Sequence, residues 1–209
     1  MRRRDFIRLA ALALMPPALA AGAGRALAQG VDVDAILRDP DAPTAGNPDG
    51  DVTIVAFFDY NCPYCKKSAP DLDRVVKEDG RIRVVYKDWP ILTEASVYGA
   101  QLALAARYQE KYFAAHGALM GIPGRKIPKE QMLEAVKSSG VDMERLNLDL
   151  ALHGPQISAL LKRNNAQAES IGLQGTPTYL VGPLLASTLD YASFKRAIAE
   201  ARRRQATGE

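Results

Sequence analysis

Residues 52–58 (VTIVAFF) form an apolar, β-branched run with a single hydroxyl, at Thr53. A strand that faces water on one side alternates apolar and polar residues; one that does not must be covered on both sides. The run therefore predicts an interior strand of an α/β sheet. Asp59-Tyr60-Asn61 ends it, and Cys62-Pro63-Tyr64-Cys65 follows directly. From Cys62 to Lys77 the period becomes helical, with Leu72, Val75 and Val76 toward a core and Pro70 expected to kink the helix. Asp79-Gly80 makes a turn, and Arg81 to Lys87 (RIRVVYK) reads as a second strand ending near Trp89-Pro90. Strand, helix and strand in that order predict a βαβ unit with a right-handed crossover.

A long helical region follows. Glu94 to Arg107 is alanine-rich and continues into Glu110 to Met120; Gly121, Pro123 and Gly124 break it. Helices are predicted over Pro128–Lys137, Asp142–Leu152 (stopped by Gly154-Pro155) and Gln156–Ser170, the last ended by Gly172. After Gly175 the strand pattern resumes at Thr178–Val181, turns at Gly182-Pro183 and returns over Leu184–Ser187. Asp190 is placed to cap a final helix that buries Phe194, Ile198 and Ala201. Arg202-Arg203-Arg204 reads as its solvated end. The sheet thus needs strands from both sides of a helical insertion. The expected division is a lead-in at 29–50 with one short helix near Asp34–Arg38, a sheet domain at 51–92 and 172–204, and an inserted helical subdomain at 93–171.

The chain has only two cysteines, Cys62 and Cys65, three positions apart. A disulfide scaffold would spread several through the chain, and so short a loop adds little by constraining the unfolded state. With no third cysteine, a zinc site made of cysteines alone is excluded. The two histidines, His116 and His153, are distant in sequence and read as surface or helix-end residues; no metal is expected. The value of the pair is chemical. Cys62 would stand at a helix N-terminus, where unpaired N–H groups and the dipole favour a thiolate. Pro63 takes the first helical position, where its missing N–H is no loss. Cys65, one turn on, is less exposed and within reach. That arrangement suits exchange through a mixed disulfide at Cys62, resolved by Cys65; in the oxidising direction Cys62 ends as a stabilised thiolate. The second candidate element is Gly175-Thr176-Pro177-Thr178: a proline opening a strand, and a candidate cis peptide.

The first residues read as an address. Arg2, Arg3, Arg4 and Arg8 precede an apolar stretch, Leu9 to Ala21, too short and too rich in alanine and proline to span a bilayer. Ala26-Leu27-Ala28 is a cleavage signal, which makes residues 1–28 an export signal peptide. Arg3-Arg4-Asp5-Phe6-Ile7-Arg8 is similar to the twin-arginine motif, although Arg2 stands where Ser or Thr is usual. Export implies an oxidising compartment, the periplasm. The net charge of +3 belongs to this leader: beyond it 22 basic and 23 acidic residues remain, leaving no basic field for nucleic acid.

FFDYNCPYCKK (Phe57 to Lys67), YKDWPIL (Tyr86 to Leu92), the helical insertion and GTPTYLVG (Gly175 to Gly182) together resemble the DsbA family of thiol–disulfide oxidoreductases over about residues 45–200. Within it the chain looks closest to the suppressor-of-copper-sensitivity branch, which shares C-P-Y-C and threonine before the proline. The resemblance implies a thioredoxin fold with an inserted helical subdomain, Cys62 as nucleophile, Cys65 as resolver, Pro177 as a cis-proline, and a Thr176–Pro177 loop that lies against the cysteines and binds extended substrate peptide. No cofactor is expected. Exported cysteine-containing proteins would be the substrates and a DsbB- or DsbD-like membrane protein the redox partner. Pro63 and Tyr64 would tune the potential. DsbA carries histidine where this chain has Tyr64, so the expected potential is more reducing than that of DsbA and above that of thioredoxin. Alternatives are a disulfide isomerase or reductase kept reduced by a membrane partner, toward which Thr176 leans, and a copper-binding module using both thiolates. Two features depart from the family. Six positions before Cys62, where relatives carry a buried acid that relays the resolving cysteine's proton, this chain has Ala56, so slower resolution is expected. The segment before the core is short, so a monomer is expected.

Overall fold

The computed structural model describes residues 31–208; the leader at 1–28 lies outside the described residues. Helix α1 (Val33–Leu37) is followed by β1 (Thr44–Gly46), β2 (Val52–Phe58), α2 (Pro63–Asp79) and β3 (Ile82–Asp88). Four helices come next: α3 (Glu94–Ala106), α4 (Tyr112–Gly121), α5 (Lys129–Ser138) and α6 (Met143–Ser170). The chain closes with β4 (Thr178–Val181), β5 (Leu184–Ser187) and α7 (Tyr191–Thr207). The sheet order is β1-β3-β2-β4-β5, with β2 and β3 parallel and the other pairs antiparallel.

β2 lies at the centre, which is why it could dispense with alternation. Ile54, Ala56 and Phe58 face a core shared with α2, α7 and the inserted helices. Val55 and Phe57 face a second core with Ile36, Val85, Trp89, Ala168 and Leu173. The insertion packs around α3, whose Leu102 to Ala106 are all buried, the pattern of a helix apolar on every side. α2 ends as its sequence predicts, with Gly80 in the left-handed region at φ 70°.

Four expectations are corrected. The lead-in carries a strand, β1, paired with β3 through Thr44↔Val85. Gly154-Pro155 does not end a helix: α6 runs unbroken for 28 residues. Pro155 removes the hydrogen bond to the Ala151 carbonyl, and both residues lie on the exposed face, where water can take that bond. Arg202 is no solvated end; it pairs with Asp51 (2.7 Å) and Asp79 (2.6 Å), tying α7 to the start of β2 and the end of α2. His116 is buried rather than on the surface, with Nδ1 3.0 Å from the Tyr60 hydroxyl, and His153 stacks on Tyr108 with ring centroids 3.7 Å apart.

Candidate active site

α2 begins where it does because Cys62 caps it. Its backbone is extended (φ −82°, ψ 114°), its Sγ accepts the Cys65 backbone N–H at 3.3 Å, and Pro63 fills the first position. The two sulfurs are unbonded thiols. The Cys62 pKa is drawn down to about 6, chiefly by a hydrogen bond from the Cys65 side chain. Burial opposes this, while Thr176 and the backbone N–H groups of Cys65 and Tyr64 assist it. Burial pushes the Cys65 thiol far above the ordinary cysteine range, and the charge beside it on Cys62 adds to the effect. One sulfur is therefore ionised at neutral pH and its neighbour holds its proton, the asymmetry that two-step exchange requires.

β4 pairs with β2 through Phe57↔Thr178, which delivers the preceding loop to the end of β2 where the cysteines lie. The Thr176–Pro177 bond is cis, as the sequence suggested. The Cys62 thiol lies 3.1 Å from the Thr176 carbonyl oxygen, and the Thr178 hydroxyl closes the loop onto Gly175 at 2.7 Å. The Thr176 hydroxyl is buried and has no hydrogen-bond partner. Cys62, Cys65, Thr176 and Pro177 thus form one cluster. Tyr64 stands apart: the residue is 59% exposed, and it acts on Cys62 through its backbone N–H. Both cysteines are largely covered, at 3% and 1% exposure. Among the described residues no group of three or more His, Cys, Asp or Glu could hold a metal ion.

Three residues that sequence reasoning treated only as a strand stop hold the cysteine turn. Asp59 Oδ1 accepts from the Asn61 N–H (2.6 Å) and the Ser96 hydroxyl (2.7 Å), and its Oδ2 accepts from the Leu92 N–H (2.9 Å). The Asn61 amide donates to Thr93 (2.8 Å) and accepts from the Ile127 N–H (2.6 Å). Tyr60 reaches His116 on α4. From the helix side, Lys66 Nζ donates to the carbonyls of Ile122 (2.7 Å) and Gly124 (3.3 Å). The available signal was the polar pair Asp59 and Asn61 between a buried strand and a buried cysteine, a place where polar groups need internal partners.

The family model described as Thioredoxin matches residues 38–200. A thioredoxin-like oxidoreductase from Silicibacter pomeroyi DSS-3 is 40% identical, with a TM-score of 0.76 over 81% of this chain and 97% of that one. The thiol-disulfide exchange protein alpha-DsbA2 from Wolbachia pipientis is 29% identical, with a TM-score of 0.74 over 80% of this chain and 90% of that one. The Na(+)/H(+) antiporter NhaA 1 of Salinispora arenicola (strain CNS-205) is 29% identical over 173 residues, 81% of this chain. The chain spans about a quarter of that antiporter's length (26%).

Proposed function

From its membership of the thioredoxin family, to which this chain belongs, we propose that the protein is a periplasmic thiol–disulfide oxidoreductase acting on exported cysteine-containing proteins. The observation that carries the reading is the Cys62 sulfur: it caps α2, ionises near pH 6 and touches the carbonyl beside the cis-proline. Cys62 is the nucleophile. Its thiolate attacks a substrate disulfide, one substrate sulfur leaves as thiolate, and a Cys62–substrate disulfide remains. Cys65 then attacks the Cys62 sulfur, closing the Cys62–Cys65 disulfide and releasing the second substrate thiolate. Run backwards, the same steps oxidise a substrate dithiol. Thr176 and Pro177 offer backbone to an extended substrate next to the sulfur. Pro63 holds the first helical position, and Tyr64 tunes Cys62 by supplying a backbone N–H to the sulfur.

Export, by the twin-arginine route, rests on the arginine-rich leader and its cleavage signal. A DsbB- or DsbD-like membrane protein would recycle the pair. The protein is read as a monomer, because the lead-in is already committed to α1 and β1 against the sheet instead of forming a free arm. A stable trimer in light scattering would overturn that. The second reading, an isomerase or reductase kept reduced, is favoured by the threonine before Pro177. Acid-quenched trapping in intact cells tests both: oxidised Cys62–Cys65 supports an oxidase and a dithiol supports a reductase. If Cys62→Ser left disulfide exchange with a peptide substrate undiminished, the whole reading would fail.

A further inference from the structure

The turn that carries Cys62 also holds a second loop in place. Asn61, just before the sulfur, accepts from the Ile127 N–H (2.6 Å) and donates to the Ile127 carbonyl (3.3 Å). Lys66, one helical turn after it, donates to the carbonyls of Ile122 (2.7 Å) and Gly124 (3.3 Å). Arg125 and Lys126 lie between these anchors. Both are exposed, as is Lys67 on α2, and none of the three makes an ion pair among the described residues. Beyond the leader the chain carries 22 basic and 23 acidic residues, so an unpaired basic cluster beside the cysteines is not the general background.

The same loop walls an open groove of about 470 Å³ between α2 and α4, which starts at Pro63, next to Cys62. Lys66, Lys67 and Pro70 line it from α2 and Met120 from α4. Asp73 is the one carboxylate among its lining residues, about 15 Å along α2 from Pro63. That length accepts about four extended residues. α4 turns Gly117 and Gly121, one helical turn apart, toward the groove. Neither has the left-handed backbone that calls for glycine, and a Cβ at either would meet nothing within 4 Å. Glycine weakens a helix interior; here it leaves backbone bare for close approach. His116 also lines the groove: it is 8% exposed, its Nδ1 is taken by Tyr60, and its Nε2 has no partner among the described residues. A buried ring nitrogen left over in this way can bond an entering peptide group.

We propose that this groove receives the part of the substrate chain next to its reacting cysteine, and that it selects acidic segments. The inference rests on the exchange role given above to Cys62 and Cys65, and specifies which substrates that site takes. Substrate carboxylates face Lys67, Arg125 and Lys126, while apolar substrate side chains lie against Pro70 and Met120. Basic segments meet like charge and are turned away. The Thr176–Pro177 loop lines no part of the groove, so the two contacts act on different stretches of the substrate.

The test uses two peptides, each with one cysteine blocked as a disulfide with 2-mercaptoethanol and flanked on both sides by glutamates or by lysines. The quantity measured is the ratio of their second-order rate constants with the reduced protein, divided by the same ratio with dithiothreitol. A change in the reactivity of Cys62 itself cancels in this quotient. In the wild type it should favour the acidic peptide about tenfold at low salt and fall toward one at about 0.5 M salt. Lys67→Glu/Arg125→Glu/Lys126→Glu should invert it. Gly117→Leu fills the groove with the charges intact; it should lower the quotient about fivefold, with a melting temperature at or above that of the wild type. A wild-type quotient near one, a measurement that needs no variant, would overturn the proposal. So would a quotient that survives the charge reversal or is untouched by Gly117→Leu. A wild-type dimer that Gly117→Leu dissolves would give the groove to a second copy and overturn it as well. If the wild type reduces neither peptide, the exchange role itself falls, and this inference with it.

Discussion

At the scale of single residues, the chemistry depends on the difference between two sulfurs three positions apart. The pull on Cys62 is built mostly from hydrogen bonds supplied by Cys65, Thr176 and the first turn of α2. Iodoacetamide should label Cys62 with a midpoint near pH 6 while leaving Cys65 untouched; a midpoint at the free-cysteine value near 8.5 would contradict the geometry. The same shift carries a stability term. Because the folded pKa of about 6 lies below the unsuppressed 9.0, thiolate stabilisation of the reduced fold is complete above 9 and is lost as the pH falls through 6. Denaturant melts should show the reduced form gaining about 4 kcal/mol relative to the oxidised form as the pH rises from 6 to 9. A Cys62 pKa between that of thioredoxin, about 7, and that of DsbA, about 3.5, places the reduction potential between about −270 and −120 mV. Equilibration with a glutathione buffer measures it. That Cys62 and Cys65 would meet at the start of a helix was legible from their spacing of one helical turn, whereas the approach of the Thr176–Pro177 loop was expected only from the family resemblance.

At the scale of elements, legibility followed burial. β2 and β4 were readable to the residue because core contacts impose a pattern on every position. β1 was not, because a three-residue edge strand of Thr, Ala and Gly carries no apolar pattern and is held by backbone hydrogen bonds. α6 was split wrongly because proline's intrinsic penalty was weighed without knowing that the interrupted face would be solvated. The joint between β2 and α2 was also hidden, since the partners of Asp59 and Asn61 lie 32 to 66 residues away. Asn61→Ala leaves the buried Ile127 N–H without its acceptor, and it should cost about 2 kcal/mol in urea unfolding. A loss below half of that would mean that the turn is held by Asp59 alone.

At the scale of the whole molecule, Asp39 joins three parts of the chain. The lead-in supplies the carboxylate, β3 supplies Lys87 at 2.7 Å with its side chain fully buried, and α6 supplies Arg163 at 2.8 Å. Removing one member leaves Lys87 charged in the interior without a counterion, so Asp39→Ala should cost about 3–5 kcal/mol. Despite the opposing effect of burial, the two cations hold the Asp39 pKa down at about 2. Its contribution is therefore whole above pH 3.8 and fades as the pH falls through 2, which acid titration of unfolding would follow. The contact between Cys62 and Thr176 spans 114 positions of the chain. A polypeptide emerging from the ribosome owns both sulfurs long before it owns the loop that packs against Cys62. Until Thr176 has been made, such a nascent chain carries the cysteine pair without the carbonyl that meets its first sulfur in the fold.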